Sequence, residues 1–220
     1  MKNKFLSKTI ITSLVASTIL LSGCSEGKSK AEVVEEKPKV AQQQTDERVK
    51  EVPEKKIVYT KYDSVVDDVF KDIAKIGPEG KYMLLVFGTN TDPYTDRLKA
   101  DIKSSKELTD KLMNNFSSYY LKAHENKRLK LFHEGDYMDV DTKTMINIYA
   151  VQSTPTLIFT DKNGKAVIVV PGYMPAKQFL ETINFMESKK WEGKDRKNGE
   201  VYEALKNHYI NNGIDVKTKA

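Results

Sequence analysis

Five apolar residues, Met83-Leu84-Leu85-Val86-Phe87, run straight into Gly88-Thr89-Asn90-Thr91-Asp92-Pro93-Tyr94-Thr95. No other junction constrains the fold as much. A short unbroken apolar run bounded by turn residues reads as a strand buried on both faces. Asp is among the best helix N-caps, and Pro is favoured at the first helical position. The chain is therefore expected to leave a central strand and enter a helix within a few residues. Leu98, Ile102, Leu108 and Leu112 give that helix an inward face to about residue 114, with a break near Lys103-Ser104-Ser105-Lys106-Glu107.

The flanking pattern extends the reading. Residues 63–76 place Val65, Val66, Val69, Phe70, Ile73 and Ile76 on one helical stripe, stopped by Gly77-Pro78-Glu79-Gly80-Lys81. Residues 116–124 read as a strand, and 127–135 as a further short one. Asp141 caps a short helix holding Met145, Ile146 and Tyr149. Residues 154–160 form a strand, 161–165 a hairpin turn with Gly164 able to take positive φ, and 166–173 the return strand. Pro175 opens a helix to about residue 188, carrying Phe179, Leu180, Ile183 and Met186. A last helix over 200–211 buries Val201, Leu205 and Tyr209 and ends at Gly213. An early βαβ unit followed by a hairpin and a helix gives an α/β fold, a mixed central sheet with helices on both faces and a helical extension after it.

The ends of the chain are of a different kind. Residues 1–23 have a basic start and an apolar run that suits a secretory signal and is too short to span a bilayer comfortably. Leu21-Ser22-Gly23-Cys24 resembles the bacterial lipobox. That resemblance implies cleavage before Cys24, acylation of Cys24 and attachment to a lipid bilayer. Cys24 is the only cysteine, so an intramolecular disulfide is excluded. An ordinary signal peptide with an incidental cysteine is the alternative. Ser25 after the cysteine fits the usual sorting pattern for the outer membrane, facing the periplasm. Residues 24–60 are rich in Glu, Lys, Gln, Val and Pro, have no aromatic before Tyr59, and read as a disordered tether. Such a tether reaches roughly 30 Å.

Charge points away from nucleic acid. The formal net charge is +5, and Lys2, Lys4 and Lys8 all lie in the signal segment, which has no acid. Without it, 33 cations face 31 anions, spread among one another. No phosphate loop is present, since residues 77–81 precede a strand instead of following one. His133, Asp136, Asp139 and Asp141 lack the spacing of a calcium loop, and Asp141 is better used as a cap. Neither a cofactor nor a metal is expected.

Residues 84–102, 151–165 and 169–186, taken in order, resemble the thioredoxin-like proteins of the bacterial envelope, notably the SoxW-type branch. The resemblance spans about residues 62–188, so 61–190 is expected to be a thioredoxin-like domain and 191–220 a C-terminal extension. It implies a cis bond before Pro155 and a client-binding role for Thr154. It also puts the family's Cys-X-X-Cys on Asp92-Pro93-Tyr94-Thr95. A carboxylate cannot attack a disulfide as a thiolate does, and threonine cannot resolve a mixed disulfide. The reading is a binding or accessory module in which Asp92, Pro93, Tyr94, Thr95, Thr154 and Pro155 border a groove for an extended segment of an envelope protein. Asp92 is either a helix cap alone or also a thiolate mimic. Two alternatives stay open: action through a partner's thiol in a redox or cofactor-maturation pathway, and a groove that is vestigial.

Overall fold

A computed structural model describes residues 60–216. The expected signal segment, Cys24 and the tether up to residue 59 lie outside the described residues.

Strand β2 (Tyr82–Gly88) is buried along its whole length. It pairs parallel with β3 (Phe116–Lys122) and antiparallel with β6 (Thr156–Thr160), and β7 (Ala166–Pro171) pairs antiparallel with β6. The order β3-β2-β6-β7 is the mixed central sheet. Strand periodicity sends alternate residues of β2 to opposite faces. Tyr82, Leu84 and Val86 join one core with Leu98, Ile102, Leu108, Leu112, Phe179, Ile183 and Val201. These come from α2 (Pro93–Ser104), α3 (Lys106–Asn114), α5 (Ala176–Glu187) and α6 (Glu200–Asn211). Met83, Leu85 and Phe87 join a second core with Ile76, Leu129, Leu131, Val140 and Met145. That face is covered by α4 (Thr142–Ile148) and by a second sheet, β1 (Lys75–Ile76), β4 (Arg128–His133) and β5 (Asp136–Asp141), in the order β1-β4-β5. Helices therefore lie on both faces, as expected, with a small sheet added to one of them.

The first helix departs from its stripe. Helix α1 spans only Ser64–Val69, and Phe70 is already extended. The Lys71 N–H donates to the Ser118 carbonyl at 2.9 Å, and the Asp72 carboxylate accepts the Ala74 N–H at 2.7 Å. Ile76 then pairs with Leu131 and enters the core of the opposite face. Pairing with β4 overrides a helical spacing that Phe70, Ile73 and Ile76 continue by chance beyond α1. Strand β5 is the second departure, because only Val140 of its six residues is buried. Its hairpin turn is Glu134-Gly135, with φ of 50° and 99°. Two positive φ values match a two-residue turn of the primed kind. The break between α2 and α3 falls at Ser105, whose side chain accepts the Leu108 N–H at 3.3 Å.

Candidate functional site

Asp92 is extended (φ −105°, ψ 116°) and caps α2. Its carboxylate accepts the Tyr94 N–H at 3.0 Å, the Thr95 N–H at 3.2 Å and the Thr95 hydroxyl at 2.7 Å. Three donors at a helix N-terminus, where the dipole favours negative charge, satisfy this group. Pro93 occupies the first helical position, whose N–H has no helical partner in any case. Thr95 is fully buried, and a Cβ placed on Gly88 would lie 2.7 Å from its methyl. Tyr94 points outward and is 58% exposed. The turn is thus a polar pair, half-buried Asp92 with buried Thr95, carrying an exposed aromatic ring and no sulfur.

Thr154-Pro155 is a cis peptide, with Pro155 buried and Thr154 half-buried. The register pairs Phe87 with Thr156. The end of β2 that feeds the Asp92 turn and the start of β6 that follows Pro155 therefore lie side by side at one end of the sheet. Gly172 strengthens this neighbourhood, donating its N–H to the Pro155 carbonyl at 2.7 Å. The next residue reaches back to α2. The Tyr173 hydroxyl donates to Asp101, and the Arg97 guanidinium stacks 4.5 Å from the Tyr173 ring centroid. Burial first, and then the bond to Asp101, push the Tyr173 hydroxyl pKa up. Every expected site residue of the domain thus sits at one end of the sheet, and Tyr173 with Arg97 joins its two walls.

Beneath the turn lies a polar layer that the sequence reading did not identify. Lys99 is 1% exposed. Its ammonium donates to Asp63 at 2.6 Å and to Asn90 Oδ1 at 3.2 Å, and lies 5.2 Å from the Tyr120 ring centroid. Asp63 also accepts the Thr60 N–H at 2.9 Å, the Thr60 hydroxyl at 3.2 Å and the Asn90 amide at 3.2 Å. Burial pushes the Asp63 carboxyl up, but the bonds from Lys99 and Thr60 outweigh it and hold the pKa below its usual value. Burial, followed by the Asp63 and Asp96 carboxylates, pushes the Tyr120 hydroxyl far up. A Cβ on Gly88 would meet that hydroxyl at 2.4 Å. Asp63 therefore ties the start of the domain to the loop before Asp92 and to α2. A signal existed in the sequence: Thr95, Leu98, Lys99 and Ile102 follow helical spacing, so the inward stripe includes a lysine.

The other sequence candidates lie elsewhere. Asp141 caps α4, accepting the Thr144 N–H at 2.7 Å. His133 ends β4, and Asp136 and Asp139 are exposed on β5. Among the described residues, no three His, Cys, Asp or Glu side chains gather as a metal site. Among them, too, no helix is long and apolar enough to cross a membrane. Trp191 is buried, its indole N–H donating to the Met186 carbonyl at 3.0 Å.

A family model and a solved structure of 38% identity agree with this architecture. A family model described as a thioredoxin-like domain matches residues 69–187. A thioredoxin-fold protein from Helicobacter pylori is 38% identical, over 67% of this chain and 94% of its own, with a TM-score of 0.62. A thioredoxin from Thermus thermophilus is 18% identical over 50% of this chain and 76% of its own, with a TM-score of 0.40. An exposed lipoprotein thioredoxin from Streptococcus pneumoniae is 21% identical over 48% and 85%, with a TM-score of 0.33. No curated protein matches.

Proposed function

The chain belongs to the thioredoxin-like family, and from that premise we propose that it is a non-catalytic binding or accessory module of the bacterial cell envelope. In this reading it is a SoxW-type relative whose redox pair has become Asp92 and Thr95. Acylated Cys24 anchors it in a bilayer, the outer membrane being favoured by Ser25, with the domain facing the periplasm. The support for the anchor is Leu21-Ser22-Gly23-Cys24 after an apolar run.

One observation carries the non-catalytic reading. The Asp92 carboxylate is taken up by two backbone N–H groups and the Thr95 hydroxyl, and no cysteine lies beyond residue 24. Nothing at the turn can attack a disulfide. What the turn offers is contact: exposed Tyr94 on one side, and Thr154 and Pro155 on the other, joined through Gly172 and Tyr173. Such a surface suits an extended segment of an envelope protein.

The test is capture in the native host. The tagged lipoprotein is cross-linked and purified alongside the Asp92→Ala/Tyr94→Ala variant, with equal folding checked by melting. The proposal expects one envelope protein, cross-linked through an extended segment, that the variant loses. If both forms hold the same set, the turn does not bind. Capture of a protein with an exposed dithiol would favour action through a partner's thiol.

A further inference from the structure

Strand β7 is an outer strand of the central sheet, yet its outward edge is closed by the chain that follows α5. The Arg196 guanidinium donates to the Ala166 carbonyl and pairs with Asp161 at 3.2 Å. On α6, the Tyr202 hydroxyl accepts the Val169 N–H at 3.1 Å and donates to the Val169 carbonyl at 3.3 Å. One hydroxyl thus satisfies both backbone groups that a neighbouring strand would take. Register places Pro171 on the same side as Val169, since Ile158 pairs with Val169 and Thr156 with Pro171. Pro171 has no N–H to offer. A strand edge with free donors and acceptors is a template for another chain, and proline and covering elements blunt it.

We propose that the C-terminal extension guards this edge, and that the partner the unguarded edge fits is β7 of a second copy of the chain. Val169 presents both its N–H and its C=O outward. An antiparallel pairing about a two-fold axis at Val169 therefore matches donor to acceptor at Val169 on both chains, while Pro171, opposite Val167 of the other copy, adds no donor. The strand Ala166–Pro171 carries no charge, so two copies meet without repulsion, and its β-branched residues suit a sheet. The guard is separable from the packing. Val201, Leu205 and Tyr209 hold α6 in the core, whereas Tyr202 is 43% exposed.

Disulfide trapping tests this in the full-length chain. Val169→Cys is placed in a Cys24→Ser background, with the guard intact or removed by Tyr202→Phe and Arg196→Met, which keep the ring and the stem. Paired Val169 positions would lie about 5.5 Å apart between Cα atoms, within disulfide reach. Mild oxidation is expected to yield about tenfold more disulfide-linked dimer without the guard than with it, as strand pairing brings the two thiols within reach. Equal yields, or no dimer from a folded unguarded chain, overturn the proposal. Should the double variant fail to fold, Tyr202→Phe alone is read by amide exchange at Val169. Faster exchange is expected, and unchanged exchange overturns the guard.

Discussion

Replacing Asp63 with alanine should be far more damaging than replacing its partner Lys99 with methionine. The asymmetry follows from burial. Lys99 is 1% exposed and Asp63 is 20% exposed. Without Asp63, a buried ammonium keeps Asn90 Oδ1, the Tyr120 ring and the Asp96 carboxylate, which lies at 4.0 Å. Breaking a buried pair in this way costs about 3–5 kcal/mol, and water reaching the vacated side sets the lower figure, about 3 kcal/mol. Lys99→Met instead removes the charge and keeps the stem. Asp63 then retains Thr60 and Asn90 as donors near solvent, at a cost of about 1 kcal/mol. The double variant buries no unpaired charge and should lose about 2 kcal/mol, so the two changes couple by roughly 2 kcal/mol. Urea unfolding at neutral pH measures all four corners of the cycle, and Asp63→Ala should lower the melting temperature by about 6–12 °C. The pH dependence has a definite sign. The folded carboxyl lies below 3.8, so its contribution is present above 3.8 and is lost as pH falls through the folded value. The gap between wild type and Asp63→Ala should close on acidification. Single changes that add to within about 0.5 kcal/mol would show that Asp63 and Lys99 do not act as a coupled buried pair.

Three further outcomes follow from the same geometry. Asp92→Ala removes the acceptor of three hydrogen bonds and should destabilise by about 1–2 kcal/mol in urea unfolding, while Asp92→Asn, itself a good cap, should cost less than half as much. Gly88→Ala puts a methyl 2.4 Å from the Tyr120 hydroxyl and 2.7 Å from the Thr95 methyl, so overpacking should cost about 1–3 kcal/mol, with Tyr120→Phe/Gly88→Ala recovering part of it. The Thr144 side chain and N–H hold the Asp141 carboxyl at about 2, against an ordinary 3.8. Its contribution to α4 is complete above 3.8 and lost through about 2, and a carboxyl titration followed by NMR should find that midpoint, whereas one near 3.8 would dismiss the cap.

What could be read from the sequence depended on how many physical signals agreed. At 83–95, apolar run, N-cap and proline all gave one answer, and β2 with α2 formed as expected. The hairpin of β6 and β7 was equally clear, since Gly164 takes φ 78° where the turn needs it. Phe70, Ile73 and Ile76 misled because helical spacing cannot say whether a stripe ends early. Their places depend on Lys71 bonding beside β3 and on Ile76 pairing with Leu131. Strand β5 stayed hidden because Asp136, Asp139 and Asp141 dilute an alternation that buries only Val140. The residues at 92–95 and 154–155 were picked out by family likeness. Lys99 belongs to no motif, although its spacing alone places it inward among Thr95, Leu98 and Ile102. Its partner Asp63 is 36 residues away, and no local pattern announces such a pair.

On the proposed reading, residues 92 and 95 hold the place of a redox pair without its chemistry. Asp92 Oδ2 and Thr95 Oγ1 lie 2.7 Å apart at a helix N-terminus, where a thiolate would be stabilised. The most direct measurement is the rate of insulin disulfide reduction by dithiothreitol with the wild type and with Asp92→Cys/Thr95→Cys. The wild type should leave the uncatalysed rate unchanged, and the grafted dithiol should accelerate it. Catalysis by the wild type, or an inert graft that is fully folded and reduced, would contradict this reading.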